Sequence, residues 1–199
     1  MSSLLTEAGI EVVVASAGGG EPPVDPLSFG EGVEDSRTET FEVDDVAMAL
    51  FRDSHALTTL ASDAFDGLFF AGGHGGMWDL PDSPTVATLI ASTLDAGKSL
   101  AAVCHGVAAL CGRHPHTGRP FVEGRRVTAL RTSEEIDLGR EEVVPFLLQE
   151  RLVWLGAEFD EAPVFTPHVV TDGSLITGQN MRSADHASRS FLAELASRS

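Results

Sequence analysis

Residues 101–110, "AAVCHGVAAL", place Cys104 where an apolar strand is expected to run into a helix, with His105 directly after it. A thiol must ionise to be a good nucleophile, and the unpaired N–H groups and dipole at a helix N-terminus stabilise the thiolate. Gly106 relieves crowding at such a turn, and Ala101 and Ala102 leave room beneath it, which is the logic of the strand–nucleophile–helix elbow of hydrolases. Cys104 is therefore a candidate nucleophile, although a free cysteine is also a common core residue. Cys111, further along amid Ala and Leu, reads as core. His105 can shuttle protons or, when charged, lower a thiol pKa. Adjacent residues on a helix do not face each other, and at a sharp elbow they diverge, so His105 is expected to act as a proton relay more than as a direct partner of the thiol. A relay imidazole needs a carboxylate to orient it. "TALRTSEEIDLG" supplies Glu135 first and Glu134 second, against the competing reading of a solvated acidic loop.

The run "AGGHGG" (71–76) supplies backbone N–H groups of the kind that make an oxyanion hole, and its glycines let a substrate approach closely. Gly72, His74 and Gly75 are the expected substrate-lining positions. The pattern is neither GxGxxG nor GxxxxGK[ST], so no phosphate cradle is indicated. "CGRHPH" (111–116) offers Cys111, His114 and His116 as zinc donors, but no fourth ligand stands at motif spacing, so no metal is expected.

These residues must be positioned by a scaffold, and the chain alternates short apolar runs with helical patterns. Strands are expected at "IEVVVAS" (10–16), "DGLFFAGG" (66–73), "KSLAAV" (98–103) and "RRVTAL" (125–130). "HVVTDGSLITG" (168–178) reads as a hairpin around Asp172-Gly173. Helices are expected at "MALFRDSHALTTL" (48–60), "SPTVATLIASTLDAG" (83–97), "HGVAALCG" (105–112), "PFLLQERLVWLG" (145–156) and 183–199. The second of these has a Ser cap, Pro at its first position and a closing Gly. Residues 20–40, rich in Pro, Gly and acids, read as a long surface loop. Continuous apolar strands alternating with helices imply an α/β fold with a mostly parallel sheet covered on both faces. In such sheets ligands bind beyond the carboxyl ends of the strands. "FFAGGHGG" and "AAVCHG" are two such ends, expected to open onto one edge.

The length, 199 residues, suits a single domain spanning 1–199. No apolar run approaches the roughly 20 residues that cross a bilayer, and "MSSLLTEAGI" lacks a basic n-region, so a cytoplasmic protein is expected. A net charge of -17, from 30 acidic and 13 basic residues, repels nucleic acid and anionic membranes as partners. Two cysteines are too few for a disulfide framework. On one α-helix Cys104 and Cys111 would stand about 10 Å apart along the axis, beyond the ~7 Å Cα separation a disulfide allows.

The stretches "FFAGGHGGMWDLP", "SLAAVCHGVAAL", "TGRPFVEGRRVTAL" and "PHVVTDGSLITGQN" resemble the ThiJ/PfpI superfamily, with its class I glutamine amidotransferase-like fold, and within it the heat-shock-chaperone and glyoxalase III branch. "VVVASAGGGEPPVDPLS" fits the branch's second strand and following loop. The resemblance implies a three-layer, flavodoxin-like sandwich and often a homodimer. It implies Cys104 as nucleophile, His105 as its partner, Glu135 as the acid following "VTAL", and the amides of Gly73 and His105 as the oxyanion hole. It implies no cofactor. The implied reaction is glutathione-independent conversion of methylglyoxal, a small aldehyde, to lactate, with deglycase and stress-chaperone activities described for relatives. A chaperone or redox-sensing protein, with Cys104 as an accessible low-pKa thiol, is the alternative implied function, and a cysteine peptidase a third. Met181 stands where the branch usually has proline. The resemblance also implies a first strand and a helix bearing a base glutamate ahead of "EAGIEVVVAS", for which Met1 onward offers no counterpart, nor do Glu7 or Glu21. A truncated reading or a rearrangement is the expectation, because losing a central strand leaves neighbouring backbone groups unpaired.

Overall fold

The structure, a computed structural model, describes residues 2–25, 41, 43–61 and 64–198. The chain divides into two compact units, residues 1–61 and 62–199.

In the first unit, α1 (Ser2–Glu7) precedes β1 (Ala15–Ser16), and α2 (Asp45–Arg52) precedes β2 (His55–Ala56). Asp44 caps α2, its carboxylate accepting from the backbone N–H groups of Val46 and Ala47. β1 and β2 pair in parallel, Ala15 opposite His55. Only the last two residues of the strand expected over 10–16 are paired as strand. The helix expected over 48–60 instead runs from 45 to 52 and stops. Ser54 explains the stop. Its hydroxyl hydrogen-bonds the Gly20 carbonyl and lies 2.8 Å from the Ser16 hydroxyl, which turns the chain into β2 rather than onward as helix. A 3-10 turn, Leu57–Thr59, follows. Of the surface loop expected over 20–40, residues 21–25 carry no regular strand or helix, and 26–40 lie outside the described residues.

The second unit is built on a four-stranded sheet of β3 (Gly67–Phe70), β4 (Ser99–Val103), β7 (Val169–Asp172) and β8 (Leu175–Gly178), in the order β3-β4-β8-β7. β3, β4 and β8 are parallel, with Phe70 opposite Ala102 and Val103 opposite Gly178. β7 returns antiparallel to β8 through the hairpin at Asp172-Gly173, where Gly173 takes φ 59. Side chains alternate sides along a strand, yet every residue of β4 is buried, so both faces of the sheet are covered. Helix α7 (Ala184–Ala196) lies on the face that carries Gly67 and Phe69: the Phe191 ring meets Phe69 edge-on at 5.5 Å and occupies the space a Cβ on Gly67 would need. Helix α4 (Pro84–Asp95), capped by Ser83 with Pro84 at its first position, packs on β3 and β4. Two further short strands, β5 (Arg126–Val127) and β6 (Glu158–Phe159), pair in parallel. The architecture is α/β with a mostly parallel sheet, as the sequence implies.

Three segments depart from expectation. The strand over 125–130 is confined to β5, and β6 has no signal in the sequence reading. Helix α6 spans Leu148–Trp154, starting after Pro145 rather than at it. Most consequential, the segment after β4 is a 3-10 helix, Cys104–Cys111, rather than an α-helix. Both cysteines remain free thiols, as expected. Two short helices complete the unit, α3 (Gly76–Asp79) and α5 (Thr132–Asp137). The second lies where a solvated loop was the competing reading.

Candidate active site

The sheet delivers Cys104 at the carboxyl end of β4. The turn there is so tight that Cys104 adopts φ 57, a left-handed conformation unusual for a residue with a side chain. Gly106 makes the turn possible, since a Cβ at that position would drive into the carbonyl oxygens of Phe70 and Ala71 at the end of β3. The neighbouring end of β3 continues into the glycine run. Gly72 backs directly onto Cys104, where a Cβ would stand 3.0 Å from the cysteine Cβ. Gly73 takes φ 124, and Gly75 caps the start of α3. The two strand ends therefore meet around one sulfur, as parallel-sheet topology leads one to expect.

The backbone N–H groups of His105 and Gly73 favour the Cys104 thiolate. Burial nevertheless dominates and pushes the thiol up to about 12, because those amides only partly offset the loss of water and the Glu134 and Glu135 charges oppose ionisation further. Cys104 is 6% exposed. Burial therefore favours the neutral thiol, against the accessible, low-pKa thiol that the redox-sensing alternative requires.

The expected divergence of His105 from the thiol is also corrected. His105 Nδ1 lies 3.5 Å from Cys104 Sγ, within hydrogen-bond reach for sulfur. His105 Nε2 lies 2.7 Å from Glu135 Oε2. Glu135 is buried, which by itself raises its pKa, but hydrogen bonds from His105 and His74 outweigh burial and hold the carboxyl down to about 2. An ionised carboxylate has no proton to donate, so both imidazoles present Nε2–H to it, and in the neutral form of His105 the Nδ1 lone pair faces the thiol.

His74 is the surprise of the site. Its Nε2 lies 2.8 Å from Glu135 Oε1, and its ring lies against that of His105 with centroids 3.9 Å apart. The glycine run marks His74 as a substrate-lining position and gives no sign that it shares the carboxylate of His105. Nothing in the local pattern could have revealed that contact, which spans 61 positions.

Glu134, the second candidate partner of His105, does something else. Fully buried, its Oε1 accepts from the Phe165 N–H at 2.7 Å, the Asn180 side chain at 2.7 Å and the Gln179 side chain at 3.0 Å. Its Oε2 accepts from the Arg131 N–H at 3.0 Å. It ties α5 to the loop at 165 and to the end of β8, and so seats Glu135 beneath the imidazoles.

The donors Cys111, His114 and His116 do not form a cluster. Cys111 is buried, while His114 pairs with Asp95 at 3.1 Å and accepts from the His116 N–H. Among the described residues, the donors close enough to hold a cation are those of His74, His105 and Glu135, within 4.8 Å of one another. Their 2.7–2.8 Å separations are hydrogen-bond lengths, shorter than the roughly 3.3 Å between donors around a tetrahedral zinc.

The fold and site define an α/β protein that holds a thiol at a strand-to-helix elbow, with an imidazole–carboxylate chain behind it. A family model for the DJ-1/PfpI family matches residues 1–194. The chain belongs to that family. It is 35% identical over 130 residues to the glutathione-independent glyoxalase hsp3101 of Schizosaccharomyces pombe, covering 59% of this chain and 51% of the relative. It is 31% identical over 130 residues to the glutathione-independent glyoxalase HSP31 of Saccharomyces cerevisiae, covering 62% and 54%. The chain thus spans a little over half the length of these curated relatives. Among solved structures, Rapid Encystment Protein 24 KDa of Francisella tularensis superposes with a TM-score of 0.87 at 32% identity, over 94% of this chain and 82% of that one. Glyoxalase III of Candida albicans superposes with a TM-score of 0.87 at 23% identity, over 97% and 84%, and shares the fold.

Proposed function

We propose that this protein is a glutathione-independent, glyoxalase III-type lyase that converts methylglyoxal to lactate with Cys104 as nucleophile. The observation that carries the reading is the unbroken chain from Cys104 Sγ through His105 to Glu135. A thiol pushed up to about 12 is neutral at rest, so attack requires a base already in contact, and His105 Nδ1 is that base. Sulfur adds to the aldehyde carbon, and the thiol proton passes through His105 to the aldehyde oxygen, giving a hemithioacetal. Gly73 and His105 N–H groups, which face the sulfur, are the oxyanion donors. Glu135 holds the imidazole in tautomer and stabilises the imidazolium formed on the way. A proton then moves between the two substrate carbons, and hydrolysis of the thioester releases lactate and restores the thiol. Gly72 lets the loop pack against Cys104, and the open space beside Gly75 leaves the substrate room.

The names of the curated relatives support the substrate class. The same reading takes residues 1–199 as one functional domain, which the single family match over 1–194 supports. Two free thiols suit a reducing cytoplasm, and a homodimer follows the family resemblance. Among the described residues no helix is long and apolar enough to cross a membrane.

The test is lactate formation from methylglyoxal without glutathione. Cys104→Ala is expected to abolish it. Turnover that survives this substitution removes the assignment. Suppression of client aggregation, unaltered in Cys104→Ala and without turnover in either protein, would point to a chaperone instead.

A further inference from the structure

We propose that His74 is a second catalytic base, the one that carries the proton between the two carbons of a bound 2-oxoaldehyde. The proposal rests on the glyoxalase reading above.

The two imidazoles are arranged alike. Each gives Nε2–H to one oxygen of Glu135, at 2.7 Å for His105 and 2.8 Å for His74. In its neutral form each then carries a lone pair on Nδ1. Their surroundings differ. His105 is buried and its Nδ1 faces Cys104. The His74 side chain is 31% exposed and sits on the glycine loop, two residues after Gly72, which backs onto Cys104. Such an imidazole is not needed to orient His105, because Glu135 Oε2 does that alone. It is oriented by Glu135, and it belongs to the same glycine loop as Gly72, which backs onto the cysteine to whose sulfur the substrate carbon becomes attached.

The chemistry needs such a group. Once sulfur has bonded to the aldehyde carbon C1, and the thiol proton has reached the C1 oxygen, that carbon still bears its hydrogen. His74 Nδ1 removes it, and the electron pair forms the C1–C2 double bond, leaving the negative charge on the C2 oxygen. The imidazolium of His74 returns its proton to C2 while the C1 hydroxyl proton passes to the C2 oxygen, giving the thioester. C1 is oxidised and C2 reduced within one molecule, so no external oxidant enters. With one carboxylate orienting two bases, His105 serves the sulfur and His74 serves the carbon.

The experiment compares unaltered protein, His74→Gln, His74→Ala and Cys104→Ala with methylglyoxal, reading lactate and intact-protein mass. Glutamine can still donate to Glu135 but cannot accept a proton from carbon. His74→Gln is expected to form the Cys104 adduct, absent from Cys104→Ala, while lactate formation falls on the order of a hundredfold or more. Added imidazole is expected to restore turnover to His74→Ala and not to Cys104→Ala, a rescue that a structural role would not show. Unchanged turnover in His74→Gln, or loss of the adduct along with turnover, overturns the role of His74 while leaving Cys104 in place. No turnover by the unaltered protein overturns both readings.

Discussion

Glu135 is the residue on which the site depends. Two imidazole hydrogen bonds hold its carboxyl at about 2, against an ordinary value of 4.5, despite burial that pulls the other way. A carboxyl whose folded pKa is depressed contributes stability that is present above the unfolded value and is lost as pH falls toward the folded one. The window is therefore from about 4.5 down to about 2, and the contribution is on the order of 3 kcal/mol. Denaturation at a series of pH values is expected to show stability falling through that window in the unaltered protein. Glu135→Gln should be less stable at neutral pH and should show a flatter profile in the acid range. A Glu135→Gln profile as steep as that of the unaltered protein would mean that other carboxyls govern acid unfolding.

At the scale of elements, α5 shows how a short polar helix becomes part of the core. Its six residues, "TSEEID", have little tendency to hold a helix alone. Glu134 compensates by accepting four hydrogen bonds from three segments. One of them, from the Phe165 N–H, stabilises a residue held at φ 53, a conformation that costs roughly 1–3 kcal/mol without such support. Glu134→Gln replaces one accepting oxygen with a donor that must face the Arg131 N–H or the three donors on the other side. Leaving buried donors unpaired is expected to lower unfolding free energy by about 1–3 kcal/mol, measured by chemical denaturation. It should also reduce turnover, because Glu135 is the next residue. Unchanged stability would show that Glu134 is not the staple its contacts describe.

For the molecule as a whole, a charge of -17 on 199 residues acts against compaction through self-repulsion. Added univalent salt screens that repulsion, with a Debye length of about 10 Å at 0.1 M. Thermal stability is expected to rise from low to moderate salt, and a gain of about 1 kcal/mol would raise Tm by roughly 2–4 °C in a chain of this size. A Tm that falls with salt would instead mean that ion pairs such as Arg126–Asp160 and Arg131–Glu161 outweigh the net repulsion.

Several features follow from chemistry that acts over a few neighbouring residues. Apolar runs marked β3 and β4, Asp172-Gly173 marked the hairpin, and Ser83-Pro84 marked the start of α4, because burial, turn geometry and capping act over a few residues. A Cys-His pair after one strand and a glycine run after another also marked where the site would lie. Other features arise from packing between distant segments. The 3-10 form of the segment after Cys104 depends on Gly106 pressing against the end of β3. The choice between Glu134 and Glu135 depends on partners 30 or more positions away, with His105 on one side and Phe165, Gln179 and Asn180 on the other. The thiol's resistance to ionisation depends on how completely the folded chain excludes water from the sulfur. Contact across the fold and loss of solvent are properties of the packed molecule, and no stretch of residues carries them alone.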